Sequence, residues 1–178
     1  DYVRDNKASI FYFDGHGGTV DNGQTLGIVP YSPNAPTARE YWLTPDDVAP
    51  INQYAYKLAM FSTCGQAKID LGQPWKDAFE AEAVIGWDEK TWPDVKRAYD
   101  LAFFECFNPS DPAKYRKNVQ GAHDYATTIA QTQPKWKQPW EKKDKDGNVI
   151  EIVPVLGEPR CIGDAIIIPA WKRRFDLE

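Results

Sequence analysis

Two short apolar runs that end abruptly at glycines constrain this chain more than anything else in it. Ala8-Ser9-Ile10-Phe11-Tyr12-Phe13 leads into Asp14-Gly15-His16-Gly17-Gly18, and Lys57-Leu58-Ala59-Met60-Phe61-Ser62 leads into Thr63-Cys64-Gly65. Apolar and aromatic runs of this length, closed by turn residues, predict strands covered on both faces. Ala83-Val84-Ile85-Gly86-Trp87 reads as a third. Helical patterns alternate with these runs, and that alternation predicts an α/β fold: a three-layer sandwich of a mainly parallel sheet with helices on both faces. His16 and Cys64, 48 residues apart, then fall at the ends of two strands, each followed by glycine. A thiol beside an imidazole can be held as thiolate, the attacking species in cysteine-nucleophile catalysis.

The remaining elements follow from local chemistry. Residues 19–50 contain Gly23, Gly27, Pro30, Pro33, Pro36, Pro45 and Pro50 and predict a long loop or ribbon. Within it, Thr44-Pro45-Asp46-Asp47 has the form of a helix start, with Thr44 as N-cap, Pro45 at N1 and Asp47 at N3. Trp75–Glu82 predicts a helix. From Pro93 to Phe107 the apolar groups Val95, Ala98, Tyr99, Ala102, Phe103 and Cys106 recur at helical spacing. A further helix is expected over Ala113–Ala130 and a polar loop over 134–148. Asp146-Gly147 then introduces Val149–Leu156, a hairpin leading to a closing strand at 162–168. The longest apolar stretch, Ala165–Trp171, has the length of a buried strand and is too short to span a bilayer.

A chain of 178 residues fits one domain, 1–178, able to bury a real core. A net charge of −5 and a pI near 5.1 argue against nucleic acid as a partner. Three cysteines leave at least one thiol unpaired. Either Cys106 pairs with Cys161 and Cys64 stands apart, as an oxidising secreted or periplasmic setting permits, or all three are reduced in a cytosolic protein. No signal peptide is visible at the start of the chain, which begins at Asp1 and is expected to be trimmed or processed.

Phe11-Tyr12-Phe13-Asp14-Gly15-His16-Gly17 resembles the His-Gly strand end of caspase-like cysteine peptidases, a superfamily that includes caspases, metacaspases, gingipains and clostripain. Phe61-Ser62-Thr63-Cys64-Gly65 resembles their nucleophile strand end, and Ala83–Trp87 the next core strand. The resemblance covers residues 8–107 and implies a cysteine endopeptidase acting on a peptide or protein substrate. It implies that Cys64 attacks the peptide carbonyl while His16 protonates the leaving amine and activates the deacylating water. The backbone N–H groups of Gly17 and Cys64 would form the oxyanion hole. Asp14, Trp87 and Asp88 would shape the substrate pocket, and no metal or organic cofactor is needed. The family places further strand–helix units before the His strand, so this chain would be the dyad-bearing C-terminal part, its N-terminal half either trimmed away or a separate chain of the same precursor that partners it. Basic-specific members carry Asp two residues before the Cys, where this chain has Ser62; caspases carry Gln-Ala, where it has Ser-Thr. Neither specificity is therefore implied.

Blander readings stand beside this one. The same fold without cleavage would be a binding or scaffold module. The Trp residues at 75, 87, 92, 136, 140 and 171 raise a carbohydrate- or surface-binding domain, although scattered tryptophans are more simply core and loop packing. His123 is expected to be solvated on a polar helix. The histidine and cysteine spacings do not form a zinc site. Asp144-Lys145-Asp146-Gly147-Asn148 is read as a plain turn rather than a calcium loop, and Lys135–Lys145 as a solvated loop.

Overall fold

Alternation along the strands decides which side of the molecule each residue serves. The computed structural model describes residues 8–20, 25–30, 42–65 and 72–167. In chain order the elements are β1 (Ala8–Val20), β2 (Thr25–Pro30), α1 (Pro45–Val48), β3 (Tyr56–Ser62), α2 (Gln73–Ala78), β4 (Ala83–Trp87), α3 (Pro93–Glu105), α4 (Val119–Gln131), β5 (Trp140–Lys143), β6 (Val149–Val153) and β7 (Pro159–Gly163). Successive side chains point to opposite faces of a strand. Ala59 and Phe61 of β3 therefore pack with Phe11, Phe13, Val84, Trp75 and Phe79 on one face. Leu58 and Met60 pack with Ile10, Ile85, Val95, Tyr99 and Phe103 on the other. Each fully buried apolar side chain of this size contributes about 1.5–3 kcal/mol relative to exposure.

The main sheet has the order β2-β1-β3-β4-β7. β1, β3 and β4 are parallel, while β2 on β1 and β7 on β4 are antiparallel. The fold is thus α/β with helices on both faces, as expected, but the sheet is mixed rather than mainly parallel. The difference arises at both edges: β7 pairs antiparallel with β4, and Gly15–Val20, which looked like loop, continues β1 to pair with Thr25–Pro30. Gly15 makes that pairing possible, because a Cβ there would sit 2.5 Å from the Val29 carbonyl oxygen.

Other boundaries moved for local reasons. Residues 113–118 are not helical, Asn118 forming an isolated bridge with Ile166, and α4 starts only at Val119, where the Asn118 side chain accepts a hydrogen bond from the Gly121 N–H. The second sheet is the hairpin β5–β6, its turn at Asp146-Gly147 as expected, but that turn joins 149–153 to 140–143, which was expected to be loop. The closing strand is 159–163. Ala165–Ile167 make only an isolated bridge, and residues 168–171 lie outside the described part. The helix start at Thr44 is as expected, with Asp47 Oδ2 accepting from both the Thr44 N–H and its hydroxyl. None of the described helices is long and apolar enough to cross a membrane.

Candidate active site

The ladder between β1 and β3 ends with Asp14 opposite Ser62. Two residues further along each chain come His16 and Cys64, both half-buried. β1 runs on into its pairing with β2, His16 opposite Val29. β3 instead stops, and the chain turns at Cys64-Gly65. Gly65 has φ +80°, a left-handed conformation that side chains other than glycine adopt at a cost, so the residue after the thiol is set by the turn. Both side chains line one cavity of about 700 Å³ at the carboxyl ends of the parallel strands. Ligand crevices in open α/β sheets lie at this end.

Strand alternation also aims Tyr12 and Asp14 of β1, and Ser62 of β3, into that cavity. Across from them runs α3, whose Lys96 and Asp100 are one helical turn apart and both buried, at 9% and 8% exposure. Lys96 Nζ donates to the Ser62 carbonyl at 2.9 Å. Asp100 Oδ2 accepts from the Ser62 hydroxyl at 2.5 Å and from the Tyr12 hydroxyl at 2.9 Å. Two consecutive turns of α3 thus grip the residue two positions before Cys64 by both its backbone and its side chain. The same carboxylate ties in the strand that carries His16. Hydrogen bonds to charged groups contribute about 1.5–3 kcal/mol net, opposed here by desolvation of the ions.

Burial pushes the Asp100 carboxyl above its ordinary value; the Ser62 and Tyr12 hydroxyls and Lys96 pull it back, while Asp14 adds to the rise. Burial likewise raises the Tyr12 phenol, reinforced by the charge of Asp100. Asp100 Oδ1 is buried with no hydrogen-bond partner, and so is Thr63 Oγ1 between Ser62 and Cys64.

The other two thiols do not line this cavity. Cys106 and Cys161 are not joined in a disulfide. Burial raises Cys161 to about 12, with Asp164 and Asp124 adding to it, and burial also raises Cys106. Such thiols stay protonated at neutral pH and are poor nucleophiles.

Of the residues singled out in the sequence, Asp14, His16, Gly17 and Cys64 come together around the cavity. Trp87 and Asp88 do not. Trp87 is 1% exposed and packs against Tyr99 and Trp136 in the core. Asp88 binds the Glu158 N–H at 2.7 Å and Arg160 Nε at 2.9 Å, which ties β4 to β7. His123 is buried rather than solvated, and its Nδ1 lies 2.7 Å from the Tyr99 hydroxyl. At the turn, Asp144 Oδ1 accepts from the N–H groups of Asp146 and Asn148. Among the described residues no group of three His, Cys, Asp or Glu is placed to hold a metal ion.

Lys96 and Asp100 escaped the sequence reading because charged residues on a helix read as solvated. A signal was present: at 3.6 residues per turn they border the apolar stripe of Val95, Tyr99, Ala102 and Phe103. Compared with family models, with curated proteins and with solved structures, the chain matches none.

Proposed function

We propose that this protein is a cysteine endopeptidase of the caspase-like type, acting through Cys64 and His16. The reading rests on one observation: an imidazole and a thiol from neighbouring parallel strands line the same cavity at the strands' carboxyl ends. Cys64 Sγ, as thiolate, forms a bond to the carbonyl carbon of the scissile peptide, and the electron pair moves to oxygen. Collapse expels the amine, which takes its proton from the His16 imidazolium and leaves a thioester. Water then gives a proton to His16 and its oxygen to the acyl carbon, returning the thiolate and a carboxylic acid. The grip of Lys96 and Asp100 on Ser62 supports this reading, since a nucleophile must be held in a narrow range of geometry.

The test is competitive alkylation of the three thiols. With sub-stoichiometric iodoacetamide near pH 7, mass spectrometry should find Cys64 labelled at least tenfold faster than Cys106 and Cys161. In His16→Ala the Cys64 rate should fall at least tenfold. Slow labelling of Cys64, indifferent to His16, would leave a binding or scaffold module of the same fold.

A further inference from the structure

We propose that the cleft between the β5–β6 hairpin and the segment before α3 binds a neutral saccharide, one sugar ring lying on the exposed indole of Trp140. The site involves neither Cys64 nor His16 and is independent of the peptidase reading.

Trp140 is a wall of two cavities. One is lined by His16 and Cys64; the other, of about 530 Å³, is lined also by Lys90, Trp92, Lys142, Glu151 and Val153. Small-molecule sites have volumes of about 300–1,000 Å³. Strand alternation builds this one. Trp140 pairs with Val153 and Lys142 with Glu151, so these four side chains share one face of the hairpin.

The two tryptophans differ from those of the core. Trp75 and Trp87 are buried, whereas Trp140 is 47% exposed. Trp92 and Trp140 stand at 83° to each other with ring centroids 5.2 Å apart, making two walls of a corner. Trp92 is fixed from behind: its Nε1–H donates to the Gln138 carbonyl at 2.7 Å, and Lys135 Nζ stands 5.0 Å from its ring centre while holding Asp94 at 2.7 Å. The rim at Lys90 is fixed too, its carbonyl accepting from the Gly157 N–H at 2.9 Å. Walls held before a ligand arrives lower the cost of ordering them on binding.

The lining decides the class of ligand. Lys90 and Lys142 balance Glu141 and Glu151, so neither an anion nor a cation is favoured. The Trp92 ring, where a cation would be drawn, already has the Lys135 ammonium over it. A wholly apolar ligand would strip water from the Lys142–Glu151 pair, 3.1 Å apart, and give no hydrogen bonds in return. A sugar ring meets both demands. Its C–H face covers the indole, and its hydroxyls donate to Glu151 and accept from Lys142 as water does. The spacing suits it, because positions 140 and 142 of one strand are about 6.8 Å apart. A six-membered ring with bonds of about 1.5 Å measures about 6 Å across its hydroxyl oxygens. A ring seated on Trp140 therefore brings its edge to the Lys142–Glu151 pair.

The experiment is NMR titration of the full chain at pH 6.5. Cellobiose, maltose, mannobiose and N,N′-diacetylchitobiose are each added up to about 10 mM, which covers a Kd near 1 mM. At least one should shift the indole N–H resonances of Trp92 and Trp140 while those of the buried Trp75 and Trp87 stay in place. It should bind at least tenfold more tightly than a dimer of glucosamine, a dimer of galacturonic acid or N-acetylphenylalanine amide, which stand for a cation, an anion and an apolar side chain. Trp140→Ala should weaken binding at least tenfold, and Glu151→Gln, at an exposed position, at least threefold. The bound sugar should also slow hydrogen exchange of the β5–β6 amides, since opening of the hairpin destroys the site. No shift from any of the four disaccharides would overturn the proposal. So would equal or tighter binding of a charged dimer or of the phenylalanine amide, or shifts that survive in both variants. The wild-type comparison decides the matter even if Trp140→Ala loosens the hairpin.

Discussion

At Asp100 opposing forces meet in one side chain. Burial disfavours its charge, and two hydroxyls and Lys96 favour it, with burial the larger effect. The native carboxyl therefore titrates above the ordinary 3.8. Between the unfolded and native values the folded protein keeps a proton that the unfolded chain has released. Folding stability must then fall as pH rises through that window, from 3.8 up through the raised native value. Asp100→Asn should lack this fall, so urea denaturation from pH 4 to pH 8 should show the variant gaining on the wild type as pH rises. Parallel stability curves would mean that the hydroxyls and Lys96 fully offset burial. Destabilising features of this kind concentrate at functional sites. His16, Cys64 and Asp14 were legible in the sequence because apolar runs break off at glycines beside them, although at His16 the strand itself runs on to Val20. Asp100 was not, since its role comes from α3 crossing the ends of two strands that lie far from it in sequence.

At the scale of elements, the packing of α3 on α4 carries a second buried polar pair. Ala122, Ala126 and Ala130 of α4 are fully buried, and their small side chains let the two helices approach closely. In that contact the Tyr99 hydroxyl meets His123 Nδ1. Burial holds the His123 imidazole below its ordinary 6.5; Arg160 lowers it further and Asp124 opposes. The native helix pair thus resists a proton that the unfolded chain accepts, and stability is lost as pH falls below 6.5. His123→Leu should abolish that acid-side loss. It should also cost about 1–3 kcal/mol at pH 8, because the buried Tyr99 hydroxyl loses its partner. Denaturation curves at pH 8 and pH 5 check both halves; a variant with an unchanged acid-side slope would exclude His123 as its source. The α3 stripe was readable from its period. His123 was not, because Gln120, Asp124 and Thr127 surround it in sequence and made its helix face look polar. β5 was missed for the opposite reason: Trp140-Glu141-Lys142-Lys143 is exposed throughout and carries no burial pattern to detect.

Across the whole molecule, stability is unevenly distributed. β3 and β4 are buried between two cores, with Leu58, Ala59, Ala83 and Val84 at 0% exposure. The outer pairings that made the sheet mixed could not be read from apolar runs, since Gly15–Val20 and Pro159–Gly163 carry glycine, proline and charge where a strand signal would be. The β5–β6 hairpin stands apart as a two-stranded sheet, with Ile150 and Ile152 at 59% and 64% exposure. Two-stranded hairpins are marginal in water. This one is anchored chiefly through Trp140, whose ring meets Trp92 edge to face at 5.2 Å. Native-state hydrogen exchange should therefore find the β5–β6 amides opening with a free energy far below the global value, exchanging about a thousandfold faster than those of β3 and β4. Trp75→Ala, which empties a fully buried site under β3, should cost about 3–5 kcal/mol and speed exchange in β3 and β4. The hairpin rates should not move, because its opening does not pass through the core. Equal protection in hairpin and sheet would instead mean a single cooperative unit, in which the hairpin is held by more than its tryptophan. The contrast bears on function, because Trp140 is also a wall of the cavity. If the hairpin opens as predicted, it does so beside the site and apart from β3 and the β1 segment that carry Cys64 and His16.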